Sequence, residues 1–173
     1  MSASSQQTSH RVRAVIVDDE PPARELVEEF LSEYDAITVV GRAGSVSGAV
    51  ACIDAESPDL VFLDVQMPDG NGFDVLEQIE QLPDVVFSTA YDEYAIQAFE
   101  AGAVDYLLKP YKQTRFDTAV ERVLAQHARR TQKSHPRSDA EDGAVEQEEM
   151  NDYADRIADL LQAAKAPGDA PDR

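Results

Sequence analysis

The stretch VIVDDE at residues 15–20 is an apolar run that stops abruptly at acidic residues. Three later apolar runs also stop abruptly at polar residues: VFLDVQMPDGNG at 61–72 stops at Asp64, FSTAYDEYA at 87–95 stops at Ser88 and Thr89, and DYLLKP at 105–110 stops at Lys109. Short runs that are apolar throughout are typical of parallel strands buried on both faces. If these runs are neighbouring strands, their polar ends meet at one edge of a sheet. The residues concerned are Asp18, Asp19, Asp64, Thr89 and Lys109.

Helical patterns alternate with these runs, and together they predict an α/β fold. The predicted strands are 12–17, 37–41, 60–64, 84–89 and 104–108. The first predicted helix begins at Pro21, the second is capped by Ser45 and runs to about Glu56, and the others cover 73–80, 93–101 and 113–130. Right-handed crossovers then place helices on both faces of a doubly wound parallel sheet. We expect the flavodoxin-like (βα)5 fold with strand order 2-1-3-4-5 and a cleft between the first and third strands.

The chain divides into one domain and several polar segments. The sequence predicts one domain at 11–130. Around it we expect a disordered lead-in at 1–10, a polar linker at 131–150 and a flexible end at 166–173. Between the last two, 151–165 has apolar residues at helical spacing, which predicts a short amphipathic helix.

Composition excludes several classes of partner. The chain of 173 residues has a formal charge of −19, which argues against nonspecific binding to nucleic acid or to an anionic membrane. No apolar stretch is long enough to cross a bilayer. The only cysteine, Cys52, cannot form an internal disulfide, so we expect a reducing, cytoplasmic location.

Carboxylates, an ammonium and a hydroxyl in one cleft suit a divalent metal and a phosphoryl group. Each signal is weak alone, because acids favour helix N-termini and turns, and a lysine is common in surface turns. Their coincidence at the same ends of several strands favours a functional site. Mg²⁺ (or Mn²⁺) prefers oxygen ligands, which Asp19, Asp64, a backbone carbonyl near Gln66 and, through water, Asp18 can supply.

Asp64 is the predicted nucleophile of this site. With its charge partly neutralised by a metal, its carboxylate can take a phosphoryl group. We expect Lys109 to pair with Asp64 in the empty site and to hold a phosphate oxygen in the loaded one, while Thr89 hydrogen-bonds another oxygen.

These residues resemble the response-regulator receiver domain of two-component signalling over about residues 11–130. The resemblance makes Asp18 and Asp19 the acidic metal pair, Asp64 the phosphoacceptor, Thr89 the switch hydroxyl, Tyr106 the switch aromatic, Lys109 the partner lysine and Pro110 a cis proline. It also implies that Gln66 and Tyr91 tune dephosphorylation. The stretch TAYDEYAIQAFEAGAVDYLLKPY at 89–111 further resembles the LytTR-type (LytR/AlgR-like) subgroup.

The resemblance implies a signalling protein that is a phosphoacceptor with slow autodephosphorylation and not a turnover enzyme. Its partner would be a sensor histidine kinase. In the coupled switch, the Thr89 hydroxyl would move toward the phosphoryl group and vacate space, the Tyr106 ring would move inward, and the homodimer face on the fourth helix, fifth strand and fifth helix would change. The residues after the receiver lack the β-rich pattern of a LytTR DNA-binding domain. We therefore expect a chain cut before its effector domain, with no specific DNA binding and no membrane partner of its own.

Three other functional hypotheses compete with the phosphoacceptor receiver domain. A haloacid-dehalogenase-type aspartyl phosphatase also uses Mg²⁺ and a carboxylate nucleophile, but its nucleophile ends the first strand in a DxD pattern. A flavodoxin-like FMN binder needs a hydroxyl-rich phosphate loop where this chain has DDEPP at 18–22. A stand-alone receiver that signals by protein contact is the third alternative.

Overall fold

A computed structural model describes residues 10–133, and its centre is a five-stranded parallel sheet. The sheet strands are β1 (Val12–Val17), β2 (Ile37–Ala43), β3 (Leu60–Leu63), β4 (Asp84–Thr89) and β5 (Asp105–Leu108). Their spatial order is β2-β1-β3-β4-β5, and every neighbouring pair is parallel. The predicted flavodoxin-like fold and strand order are therefore confirmed.

Five helices connect and follow these strands. They are α1 (Pro21–Leu31), α2 (Val46–Glu56), α3 (Gly72–Gln78), α4 (Ala95–Glu100) and α5 (Gln113–Lys133). Proline begins α1, where a missing backbone N–H costs nothing. The Ser45 hydroxyl caps α2 by accepting from the Gly48 N–H at 3.0 Å. Asn71 and Asp74 form a capping box that starts α3.

The core is divided by the sheet into two apolar clusters. On one face, strand residues pack with side chains of α2, α3 and α4, such as Ile53, Phe73 and Ala98. On the other face, strand residues pack with side chains of α1 and α5, for example Leu31 and Phe116. Helices on both faces explain why the strands are apolar at nearly every position. No helix within residues 10–133 is both long and apolar enough to span a membrane.

Several boundaries differ from the prediction. An antiparallel ribbon of Gln66–Met67 and Gly70–Asn71 lies where only a turn was expected. The fourth helix is shorter than 93–101, because a turn closed by a hydrogen bond from the Ala95 N–H to the Asp92 carbonyl (3.2 Å) precedes it. The last helix continues to Lys133. The predicted lead-in apart from its last residue, the linker from residue 134, the helix at 151–165 and the end at 166–173 lie outside the described residues.

Candidate functional site

The carboxyl ends of four neighbouring strands bring the predicted site residues to one edge of the sheet. Sheet hydrogen bonds continue past the strand ends and fix these positions: the Asp64 N–H bonds the Val17 carbonyl at 2.9 Å, and the Lys109 N–H bonds the Thr89 carbonyl at 2.7 Å. Asp18 is anchored in the same way to Ala43, at 3.0 Å. Backbone bonds therefore hold the chain at Asp18, Asp64, Thr89 and Lys109.

Three carboxylates form the acidic part of the site. One oxygen from each of Asp18, Asp19 and Asp64 lies within 4.8 Å of the others. Asp18 and Asp64 are buried, at 3% and 6% exposure, whereas Asp19 is exposed. Buried carboxylates this close repel one another and have lost hydration, so an added cation would relieve an unfavourable arrangement. An all-oxygen donor set of this kind fits Mg²⁺ or Mn²⁺.

Lys109 supplies the positive charge of the site. Its Nζ donates to Asp18 Oδ2 at 2.6 Å and to Asp64 Oδ2 at 3.4 Å. The sequence predicted a pair with Asp64 alone; the shorter bond goes to Asp18, because both acids flank the same ammonium. Burial by itself lowers the pKa of Lys109, but the bonds and charges of these two acids outweigh it, and the pKa is raised.

Asp64 is held in an environment that disfavours its charge. Burial raises the pKa of its carboxyl, and the nearby charge of Asp18 adds to that effect. The Lys109 ammonium and the Gln66 N–H, which lies 3.4 Å from Asp64 Oδ1, oppose the shift without cancelling it. A carboxylate that is poorly solvated and close to a cation site is suited to nucleophilic attack on phosphorus.

Thr89, Tyr91 and Tyr106 form a chain of contacts that leads away from the site. Thr89 is fully buried, and its Oγ1 accepts from the Tyr91 N–H at 3.3 Å. The Tyr106 hydroxyl donates to the Tyr91 carbonyl, and the Tyr106 ring is 2% exposed. The sequence-based hypothesis had this ring move inward on phosphorylation, but here it is already buried. Further along the chain, the Lys109–Pro110 peptide bond is cis.

Two contacts at the site were not predicted from the sequence. The Gln66 side-chain amide donates to the Tyr94 hydroxyl at 3.2 Å. Arg24, one turn into α1, donates from Nη1 to the Asp18 carbonyl at 2.5 Å. Neither has a signal in the sequence, because each depends on the approach of a side chain to a separate loop.

Comparison with known proteins agrees with this geometry. An uncharacterized response regulatory protein of Vibrio cholerae is 47% identical over 116 residues, which are 66% of this chain and 49% of that protein. The sensory transduction protein LytT of Enterococcus faecalis is 40% identical over 115 residues, 65% of this chain and 48% of that protein. The chain thus spans about half the length of the curated relatives it matches.

The response regulatory domain of protein mrkE from Klebsiella pneumoniae has a similar solved structure. It superposes with a TM-score of 0.61 at 28% identity, covering 66% of this chain and 96% of that one. The LytT relatives are consistent with the predicted LytTR-type subgroup. The family model of the response regulator receiver domain matches residues 14–121, and the chain therefore belongs to that family.

Proposed function

We propose that the chain accepts a phosphoryl group on Asp64 from a sensor histidine kinase, in a reaction that requires Mg²⁺ (or Mn²⁺). The observation that carries the proposal is the environment of Asp64, which lies beside two further carboxylates and within 3.4 Å of the Lys109 ammonium. Receiver domains bind Mg²⁺ at an acidic pocket, and the donor set here fits that ion. As a phosphoacceptor, the chain would not be a turnover enzyme.

The transfer forms one bond and breaks one. A carboxylate oxygen of Asp64 attacks the phosphorus of a phosphohistidine, and the phosphorus–nitrogen bond breaks as the imidazole leaves and takes up a proton. Lys109 binds one phosphoryl oxygen, and the Thr89 hydroxyl donates to another. Mg²⁺ bound by Asp19, Asp64 and the Gln66 backbone carbonyl, with Asp18 acting through water, would neutralise phosphoryl charge.

The signal would pass from Thr89 to the surface formed by α4, β5 and α5. When Thr89 turns toward the phosphoryl group, its bond with the Tyr91 N–H is lost, and Tyr91 is the residue whose carbonyl holds Tyr106. The change would therefore alter the contact that holds the Tyr106 ring, which is buried in this structure. Ile96 and Leu108 are exposed on this surface, at 67% and 36%, which supports a homodimer there.

The output would be control of transcription in the cytoplasm through a LytTR DNA-binding domain. The support is the similarity to LytT and the length of the relatives, of which the match covers about half. Gln66 and Tyr91, which flank the site on two loops, would tune the lifetime of the phosphoryl group. In this proposal the receiver part binds no specific DNA.

Intact-mass measurement after incubation with acetyl phosphate and Mg²⁺ tests the proposal. We expect one phosphoryl group per chain, loss of labelling without Mg²⁺ and loss of labelling in Asp64→Asn. The control is Asp54→Asn, which changes an exposed acid on α2 in the same way and should label normally. Undiminished labelling of Asp64→Asn would exclude Asp64 as the acceptor.

A further inference from the structure

Two loops flank the Asp64 carboxylate, and one hydrogen bond joins them. The first loop leaves β3 and carries Gln66, whose N–H lies 3.4 Å from Asp64 Oδ1. The second leaves β4 at Thr89 and ends at Tyr94, directly before α4. The Gln66 side-chain amide donates to the Tyr94 hydroxyl at 3.2 Å, so this bond spans the space between the loops beside the carboxylate.

The two partners differ in how firmly they are held. The Tyr94 ring packs against Phe73, a buried residue of α3, with centroids 6.3 Å apart, and meets the Tyr91 ring edge-on at 6.4 Å. Its carbonyl also accepts the Ala98 N–H at 2.9 Å, which ties it to α4. Gln66 is exposed and has several free torsions. Tyr94 is therefore the fixed partner, and Gln66 is the side chain that it orders.

We propose that Tyr94 is a positioning residue that holds the Gln66 side chain across one side of the site and so slows loss of the phosphoryl group to water. The inference rests on the proposed function of Asp64. In the loss, a water oxygen bonds to phosphorus, the bond from phosphorus to the Asp64 oxygen breaks, and the carboxylate and inorganic phosphate result. With the bond to Tyr94 in place, the Gln66 amide obstructs one approach of that water. Without it, the side chain turns to solvent and leaves the approach open.

The test is the first-order decay of the phosphorylated full chain, followed by intact mass after acetyl phosphate is removed by rapid desalting. Tyr94→Phe deletes only the hydroxyl and keeps the ring on Phe73. We expect it to decay about two- to tenfold faster than the unmodified chain, the range that loss of one net hydrogen bond allows. Tyr34→Phe, which removes a tyrosine hydroxyl bonded to Asp117 away from the site, is the matched control and should decay at the original rate.

A double-mutant cycle separates positioning through Gln66 from a general structural effect. Gln66→Ala keeps the backbone carbonyl and should also decay faster, and adding Tyr94→Phe to it should change nothing more. Equal decay of Tyr94→Phe and the unmodified chain overturns the inference while leaving phosphorylation of Asp64 intact. A Tyr94→Phe effect that persists in full beside Gln66→Ala also overturns it. Failure of the unmodified chain to label at Asp64 overturns both this inference and the proposed function.

Discussion

At the scale of single residues, the site is defined by an imbalance of charge. Asp18 and Asp64 are both buried, yet they share one ammonium, and Lys109 lies closer to Asp18. The Lys109 ammonium therefore neutralises the charge of Asp64 less than that of Asp18, which agrees with the raised pKa of the Asp64 carboxyl. An arrangement of this kind costs stability in the absence of a cation, and it leaves Asp64 available to a metal and to phosphorus.

Asp64→Asn should raise the thermal stability of the metal-free chain at neutral pH, with Tm increasing by roughly 3 °C. Because the pKa of Asp64 is raised, the folded chain binds more protons than the unfolded chain between the ordinary and the raised pKa. The stability of the unmodified chain therefore falls as pH rises through that window. The Tm difference between Asp64→Asn and the unmodified chain should therefore reach its full size above the raised pKa and vanish below the ordinary pKa of an aspartate.

Thermal unfolding in EDTA across this pH range measures the effect. Saturating Mg²⁺ is the complementary condition, because it should stabilise the unmodified chain by binding the folded form and should stabilise Asp64→Asn less. A variant that is less stable than the unmodified chain at neutral pH in EDTA would show that Asp64 is adequately paired.

Gly72 sets a second constraint at this scale, since a side chain there would collide with the loop that carries Asp64. A Cβ on Gly72 would lie 2.4 Å from the Asp64 backbone carbonyl oxygen, and backbone cannot move aside cheaply. We expect Gly72→Ala to destabilise the chain by about 1–3 kcal/mol in urea unfolding and to weaken Mg²⁺ binding.

Gly44→Ala is the matched control for Gly72→Ala. The nearest atom to its added Cβ, at 3.2 Å, is the end of the flexible Arg24 side chain. Because that side chain can move aside, Gly44→Ala should change the free energy of unfolding by less than about 1 kcal/mol. Equal costs for both substitutions would mean that loss of glycine, rather than the contact with Asp64, determines the effect.

At the scale of elements, α5 is attached to the sheet by buried acids as well as by its apolar face. Asp105 at the start of β5 accepts from both Nη atoms of Arg115, at 2.9 and 2.7 Å, and from Arg122 at 2.9 Å. Asp84 at the start of β4 accepts from Arg130 at 2.8 Å. Both acids are almost fully buried, at 1% and 4% exposure, so each needs its cations.

The two arginines on Asp105 should be partly redundant. We expect Arg115→Met or Arg122→Met alone to cost about 1 kcal/mol of unfolding free energy, because the remaining arginine still compensates the buried carboxylate. Both together should cost about 3–5 kcal/mol, more than the sum, because the charge is then left unpaired. Urea unfolding of the two single variants and the double variant measures this coupling. Additive costs would mean that the two cations act independently.

The sequence predicts most of this architecture and most of the site, for a physical reason. Apolar runs that end in charged residues place Asp64 and Lys109 at one sheet edge, because parallel strands share a direction. The ribbon at 66–71 was not predicted, since two-residue strands carry no periodicity. The Tyr94–Gln66 bond and the pairing of Asp105 with α5 were also missed. Such contacts depend on how loops and helices pack, which no local pattern specifies.

At the scale of the whole molecule, charge opposes the association that the proposed function requires. The formal charge of −19 makes two copies repel each other. The exposed Ile96 and Leu108 favour an apolar contact on the surface of α4, β5 and α5. On the same surface, Arg115 and Arg122 already bond Asp105 of their own chain. Apolar burial, rather than ion pairs between copies, is therefore expected to hold a dimer together.

This balance predicts that association of the phosphorylated chain strengthens as salt is added. Raising NaCl from about 10 mM to about 150 mM shortens the screening length from roughly 30 Å to roughly 8 Å, which weakens repulsion between copies and leaves apolar burial intact. Sedimentation velocity with acetyl phosphate and Mg²⁺ should show a severalfold increase in the association constant. Thr89→Ala is the control, because it should still label at Asp64 yet associate weakly at either salt concentration. Association that weakens with salt would instead place ion pairs between the copies, and equal association of Thr89→Ala would remove Thr89 from the path between phosphorylation and the dimer.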